Sequence, residues 1–131
     1  GGSMMLPRNL AGLEGLGMLV TAQGWITDPA SAAANLGMPL LDGIGRSTQI
    51  GDFTAFFVAV AGFSLYGAWK ESPHWVRSAA IVLLLAAVFR TSSWLMHGAA
   101  FATPQIVAEV ILAAALLFSA SRWPDTGPET D

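Results

Sequence analysis

Two side chains of opposite charge stand inside apolar stretches of this chain, at positions where they could meet. Eleven apolar residues, AAIVLLLAAVF, precede Arg90, and Glu109 follows Pro104 by five residues in the next apolar stretch. If both stretches are helices joined by a short loop, the two charges lie about 10 Å and about 7 to 8 Å from the same surface. An unpaired ion in lipid costs at least ~2.5 to 3.5 kcal/mol, so Arg90 and Glu109 are predicted to form an ion pair.

Other polar residues are predicted at the same level. Asp52 opens one predicted helix, where it could cap the backbone, and Arg46 could reach it. The candidate ligand-binding residues are therefore Arg90, Glu109, Arg46, His97, Asp52 and Ser93. Two interpretations stay open: the ion pair fastens two helices together, or the polar cluster lines a cavity that receives a ligand, a proton or an anionic headgroup. The first interpretation is slightly preferred, and the second stays close to it because an intramembrane ionisable group is by default a hypothesis of a functional site.

A second intramembrane carboxyl, Glu14, is predicted near the opposite surface. It follows Arg8 by six residues, which places it about 9 Å from that surface and far from the pair. No partner is evident at its depth. Glu14 is therefore expected either to carry a proton or to hydrogen-bond a backbone carbonyl, and the hydrogen bond is the preferred interpretation.

Several chemistries are excluded or weakly supported. The two histidines, His74 and His97, are predicted on opposite sides of the membrane and cannot share a metal, and cysteine is absent, so neither a metal site nor a cofactor is predicted. The formal charge of −3 argues against nucleic-acid binding. An enzyme would have to use His97 and Glu109 as an acid–base pair, with Arg90 stabilising an oxyanion. No catalytic residue is assigned.

The composition predicts the kind of structure that holds the candidate site residues. Of 131 residues, 53% are hydrophobic and 11% are charged, against about a quarter charged in soluble domains. About 20 mostly apolar residues cross a bilayer as a helix. The sequence predicts an all-α, integral membrane four-helix bundle at residues 4–123, preceded by a tag remnant at 1–3 and followed by a disordered acidic tail at 124–131. The predicted spans are residues 10–26, 53–69, 78–96 and 105–121.

The orientation follows from aromatic and basic residues. The five tryptophans fall near the ends of the predicted spans, as rings at a membrane surface do. Four of the five basic residues outside the spans share one side, so both termini are predicted in the cytoplasm of a bacterial inner membrane. In the first outer loop, Asp28 and Pro29 begin a short interfacial helix that Gly37 ends, and residues 38–47 are predicted to be irregular.

Four motifs carry a resemblance to a known family: DPASAAANLG, GRSTQIGDF, FRTSSWLMHG and PQIVAEVILA. With them the chain resembles the small four-helix bacterial membrane proteins of the domain-of-unknown-function 4345 family. The resemblance implies the same topology and recurrent polar positions at Arg46, Arg90, Gly98 and Glu109. It departs from the family at Asp52, where a second glycine is common, and at His97, where an acid is common. It implies no activity.

The preferred functional prediction is a small inner-membrane protein that binds or passes a small or amphipathic molecule at the polar cluster. Its partners would be the lipid bilayer and an amphipathic ligand or lipid. One alternative is an accessory or assembly subunit of a larger membrane complex, which would use the glycine-rich helix faces as a homo-oligomer or partner surface. The other alternative is the membrane enzyme acting on a lipid-soluble substrate.

Overall fold

The chain folds into five α-helices. A computed structural model describes residues 4–124, and within that range no β-strand is present. The predicted tag remnant and nearly all of the predicted acidic tail lie outside the described residues. The helices are α1 (Met5–Thr27), α2 (Pro29–Asn35), α3 (Gly43–Lys70), α4 (Pro73–His97) and α5 (Thr103–Ser121).

The four long helices contact one another in a closed order. α1 packs against α3 and α5, α3 also packs against α4, and α4 also packs against α5, while the short α2 lies on α1. By length and composition, α3, α4 and α5 could each cross a membrane, and within residues 4–124 these are the three helices that meet both criteria. The all-helical prediction and three of the four predicted spans are therefore supported, and the span predicted for α1 stays a prediction.

Small residues fill the interior, and large apolar residues cover the outside. Ala11, Ala79, Ala80 and Ala113 have no exposed surface, and Ala120 has 2%. Large side chains such as those of Leu13, Val20, Ile81, Phe89 and Ile111 are more than half exposed. Alanine and glycine let helix backbones approach closely, which is how helices pack in lipid. An outer surface this apolar is typical of a protein whose solvent is hydrocarbon.

The first loop is shorter than the sequence predicted. It was predicted to stay irregular through residue 47, but α3 begins at Gly43. Two side chains of α3 hold the loop in place: the Gln49 side chain accepts a hydrogen bond from the Leu41 amide at 2.7 Å and donates to the Pro39 carbonyl at 3.1 Å, and Arg46 Nε donates to the Leu41 carbonyl at 2.8 Å. With the polar backbone groups of the loop bonded in this way, the helix can begin ten residues before the predicted position.

The short helix α2 lies where it was predicted. The Asp28 side chain accepts a bond from the Ser31 amide at its start, and Pro29 occupies the first turn. The chain leaves α2 through Gly37, whose φ of +80° suits a residue without a side chain. Gly98 ends α4 in the same way, with φ +69°. A physical reason for glycine is therefore present at both positions.

The end of the molecule that holds Met5, Lys70, Pro73 and Ser121 is here named the closed end. Three hydrogen bonds there join segments distant in sequence. Arg8 Nε donates to the Ala68 carbonyl at 2.8 Å, Ser119 Oγ to the Pro7 carbonyl, and Trp123 Nε1 to the Glu71 carbonyl at 3.1 Å. One buried apolar cluster at this end takes residues from all four long helices.

The opposite end, which holds Thr27, Gly43, His97 and Thr103, is here named the open end. Its buried cluster consists of Ala22, Trp25, Ala33 and Phe57, packed against further apolar residues of α1, of α3 and of α2 with the loop after it. No residue of α4 or α5 belongs to it. At the open end, therefore, α1, α2 and α3 pack as one unit, and α4 and α5 form a second unit.

Candidate functional site

A cavity of about 520 Å³ lies between these two units at the open end. Ligand pockets are commonly about 300 to 1,000 Å³, so a small molecule or part of a lipid would fit. The walls are mainly apolar. The lining residues from α1, from α2 with the residue after it and from α3 are Met18, Thr21, Asn35, Leu36, Asp52, Phe53, Phe56 and Phe57. Those from α4 and α5 are Ala86, Arg90, Pro104, Gln105, Ala108, Glu109 and Leu112.

Helix periodicity explains why α4 and α5 direct these residues to one place. Ala86 and Arg90 are four residues apart on α4, and Gln105, Glu109 and Leu112 follow the same face of α5. Side chains three or four residues apart share a helix face. One face of each helix therefore points into the cavity, and the charged residue of each helix belongs to that face.

The predicted ion pair between Arg90 and Glu109 is confirmed. Arg90 Nε donates to Glu109 Oε1 at 3.0 Å and to Oε2 at 3.1 Å, so one N–H is shared between the two carboxylate oxygens. The Glu109 side chain is 11% exposed and that of Arg90 is 27% exposed. The pair joins α4 to α5 and also borders the cavity, and both interpretations offered by the sequence are compatible with that position.

The Arg90 guanidinium keeps free donors. It carries five N–H groups, of which Nε–H is used by Glu109, and the four on the terminal nitrogens have no hydrogen-bond partner within residues 4–124. Paired terminal N–H groups match the geometry of a phosphate or a carboxylate. A cavity bordered by these donors can therefore bind an anionic group without breaking the bond to Glu109.

One charged side chain without an ion-pair partner among residues 4–124, that of Asp52, borders the same cavity. Asp52 is exposed, and its carboxylate forms no ion pair or hydrogen bond with any residue the structure describes. The prediction that Arg46 reaches Asp52 is wrong, since Arg46 Nη2 pairs with Asp42 at 3.0 Å. The prediction that Asp52 caps its helix is also wrong, because α3 begins nine residues earlier. Asp52 is thus left available to a ligand.

Three of the predicted site residues do not line the cavity: Arg46, His97 and Ser93. Arg46 supports the loop. His97 is the last residue of α4 and is exposed, and no hydrogen bond or ion pair joins it to Glu109. The acid–base pair that a membrane enzyme would need is therefore not assembled in this structure. Ser93 is half-buried and lies one turn of α4 beyond the pair.

Glu14 lies outside this cavity, on α1. Its side-chain Oε2 is buried and has no hydrogen-bond partner among residues 4–124. The predicted hydrogen bond from this carboxyl group to a backbone carbonyl is therefore not formed by Oε2. In the part of the chain that the structure describes, no group of three or more histidine or acidic side chains could hold a metal ion.

Three polar lining residues were not predicted: Thr21, Asn35 and Gln105. Gln105 could have been found, because it precedes Glu109 by one helical turn and so shares its face. Asn35, at the end of α2, could not, since only the path of the loop brings it over the cavity. The approach of Gly37 to the Gln105 amide, 3.9 Å from the position a Cβ would take, shows how closely this loop comes to α5.

No protein-family model, no curated protein and no solved structure matches the chain, so the family resemblance drawn from its motifs stays a prediction.

Proposed function

We propose that this protein is a membrane-embedded bundle of four helices that binds an amphipathic molecule between its two units at the open end. One observation carries the proposal: a mainly apolar cavity is bordered by an arginine whose four terminal N–H donors have no partner among residues 4–124. The polar end of a ligand would meet Arg90, and its apolar part would lie against Phe53, Phe56 and Leu112. Ligand pockets of this kind combine apolar walls with a few placed polar groups.

The ligand would enter from the side. α1 and α5 meet near the closed end, where Ala11 shares a cluster with Ala113 and Leu116. Toward the open end the same two helices flank the cavity with Thr21 and Ala108, both exposed. We place the entry gap between these two helices, where it would face hydrocarbon in a bilayer, and α2, which lines the cavity through Asn35, would lie on the side toward water. A molecule already dissolved in the membrane would therefore reach Arg90 without crossing water.

Filling this gap should block binding. Ala108→Trp places an indole in the cavity and is expected to weaken binding of a single-chain phospholipid about tenfold or more, since the lost contacts exceed ~1.4 kcal/mol. The measurement is a titration of protein in non-ionic detergent, followed by native mass spectrometry. Ala114→Trp is the matched control, because Ala114 is an exposed residue of the same helix outside the cavity. Equal binding by both variants and the natural protein would contradict the proposal.

The membrane orientation can be tested separately. With four spans, α2 would face away from the cytoplasm, and the turn between α3 and α4 would face into it, with most of the basic residues. Because the chain has no cysteine, an introduced cysteine is the one thiol of the chain that a maleimide can label. Ser31→Cys is expected to react with a membrane-impermeant maleimide on intact spheroplasts, and His74→Cys only after lysis; both residues are exposed. Labelling of both positions before lysis would mean that α3, the one long helix between them, does not cross the membrane.

A further inference from the structure

The charges around the cavity select among amphipathic ligands. Arg90 contributes one positive charge, and Glu109 and Asp52 contribute two negative charges. The Arg90–Glu109 pair is internally balanced, which leaves the Asp52 carboxylate as the unbalanced charge. A purely anionic ligand would gain the free Arg90 donors but would also approach an unpaired carboxylate. A purely cationic ligand would meet the guanidinium.

We infer that the ligand of the proposed cavity is an amphiphile with a zwitterionic head, whose anionic group binds the terminal nitrogens of Arg90 and whose ammonium group binds Asp52. This inference rests on the proposed function. Such a head supplies a partner to the terminal N–H donors of Arg90 and to the Asp52 carboxylate at once. A phosphate joined to an ethanolammonium group has the required chemistry, since phosphate accepts paired bonds from a guanidinium and a primary ammonium donates to a carboxylate.

The size and lining of the cavity limit the rest of the molecule. A volume of about 520 Å³ suits a headgroup with part of a chain better than an entire two-chain lipid. The aromatic side chains of Phe53, Phe56 and Phe57 lie on the same wall as Asp52. A chain attached to the zwitterionic head could therefore lie along that wall and leave the protein through the gap between α1 and α5.

The experiment compares lipids that differ only in their heads. Lysophosphatidylethanolamine and lysophosphatidylglycerol with the same acyl chain are titrated into the full chain in non-ionic detergent. The natural protein is expected to bind the ethanolamine lipid about fivefold more tightly, the ratio expected of one partly exposed ion pair. Asp52→Asn is expected to reduce that ratio to about one, while binding itself persists. Asp42→Asn removes the same charge from the start of α3 outside the cavity and should keep the ratio.

Each other outcome contradicts part of the account in a distinguishable way. If the natural protein binds both lipids equally, or if Asp52→Asn keeps the fivefold ratio, the zwitterion inference is overturned; the proposed function survives provided that Ala108→Trp still blocks binding. If soluble glycerophosphoethanolamine competes as well as the lysolipid, the ligand is a free zwitterion and needs no chain. If neither lipid binds, both the inference and the proposed function are overturned.

Discussion

Glu109→Ala is expected to lower the free energy of unfolding by about 2 to 3 kcal/mol. The substitution leaves Arg90 without its ion-pair partner. The guanidinium of Arg90 donates to both Glu109 oxygens, and the Arg90 side chain is only 27% exposed. Breaking a fully buried pair costs more, but the cavity beside Arg90 offers the guanidinium another environment. Thermal denaturation in detergent, with and without added lysolipid, measures the loss. Glu109→Gln keeps an acceptor oxygen at the same length of side chain and should lose less.

A double substitution separates the two interpretations of the pair. Arg90→Met with Glu109→Leu removes both charges and fills the space with apolar atoms, and such replacements of ion pairs are often neutral or stabilising. The double variant is therefore expected to recover the stability of the natural protein and to lose lysolipid binding. Recovery of stability with undiminished binding would mean that the pair only fastens α4 to α5. An unchanged Glu109→Ala variant would mean that Arg90 is already well hydrated.

Gly67→Ala is expected to destabilise the protein by about 1 to 3 kcal/mol. A Cβ at Gly67 would lie 2.7 Å from Val76 Cγ2, 2.9 Å from the Ser72 carbonyl oxygen and 3.0 Å from the Val76 amide nitrogen. Two of these atoms belong to the backbone, so the contact cannot be relieved by rotating a side chain. The end of α3 would have to move away from the start of α4, which would disturb the closed end.

Gly62→Ala is the matched control for this prediction. It lies on the same helix, and a Cβ there would have no heavy atom within 4 Å. Alanine is a better helix former, so this variant should be as stable as the natural protein or more stable by roughly 0.5 to 1 kcal/mol. The two variants are compared by thermal denaturation in the same detergent. A Gly67→Ala variant as stable as Gly62→Ala would show that α3 and α4 can separate at no cost.

The sequence predicted depth along the helices better than rotation around them. The levels of Arg90 and Glu109 followed from counting residues to the nearest turn, and opposite charges at one level on adjacent helices had a strong reason to meet. The same counting also placed His97 and Ser93 near the pair, but neither lines the cavity. A residue turns by about 100° relative to its neighbour on a helix, so a correct level does not fix the direction of a side chain.

Local sequence signals predicted the structure correctly where neighbouring residues bond the polar groups of the backbone. They failed where residues further along the chain form those bonds. α2 was predicted because Asp28 and Pro29 act within one turn. The start of α3 was missed because its loop depends on Gln49 and Arg46, which bond residues five to ten positions earlier. Without the rest of the fold, Gly43 and Gly45 indicate a turn. Tertiary bonds from the helix outweighed that local preference.

The hydrogen bond from Ser119 to the Pro7 carbonyl joins the last helix to the first. A chain that leaves the ribosome from its amino end exposes α1 long before α5 has been made. α1 can find α3 early, but its second neighbour, α5, arrives only after α3 and α4 have been made. Until then, the flank of α1 around Ala11 must be covered by lipid or by a chaperone of membrane insertion, and a translational pause between α4 and α5 would prolong that incomplete state.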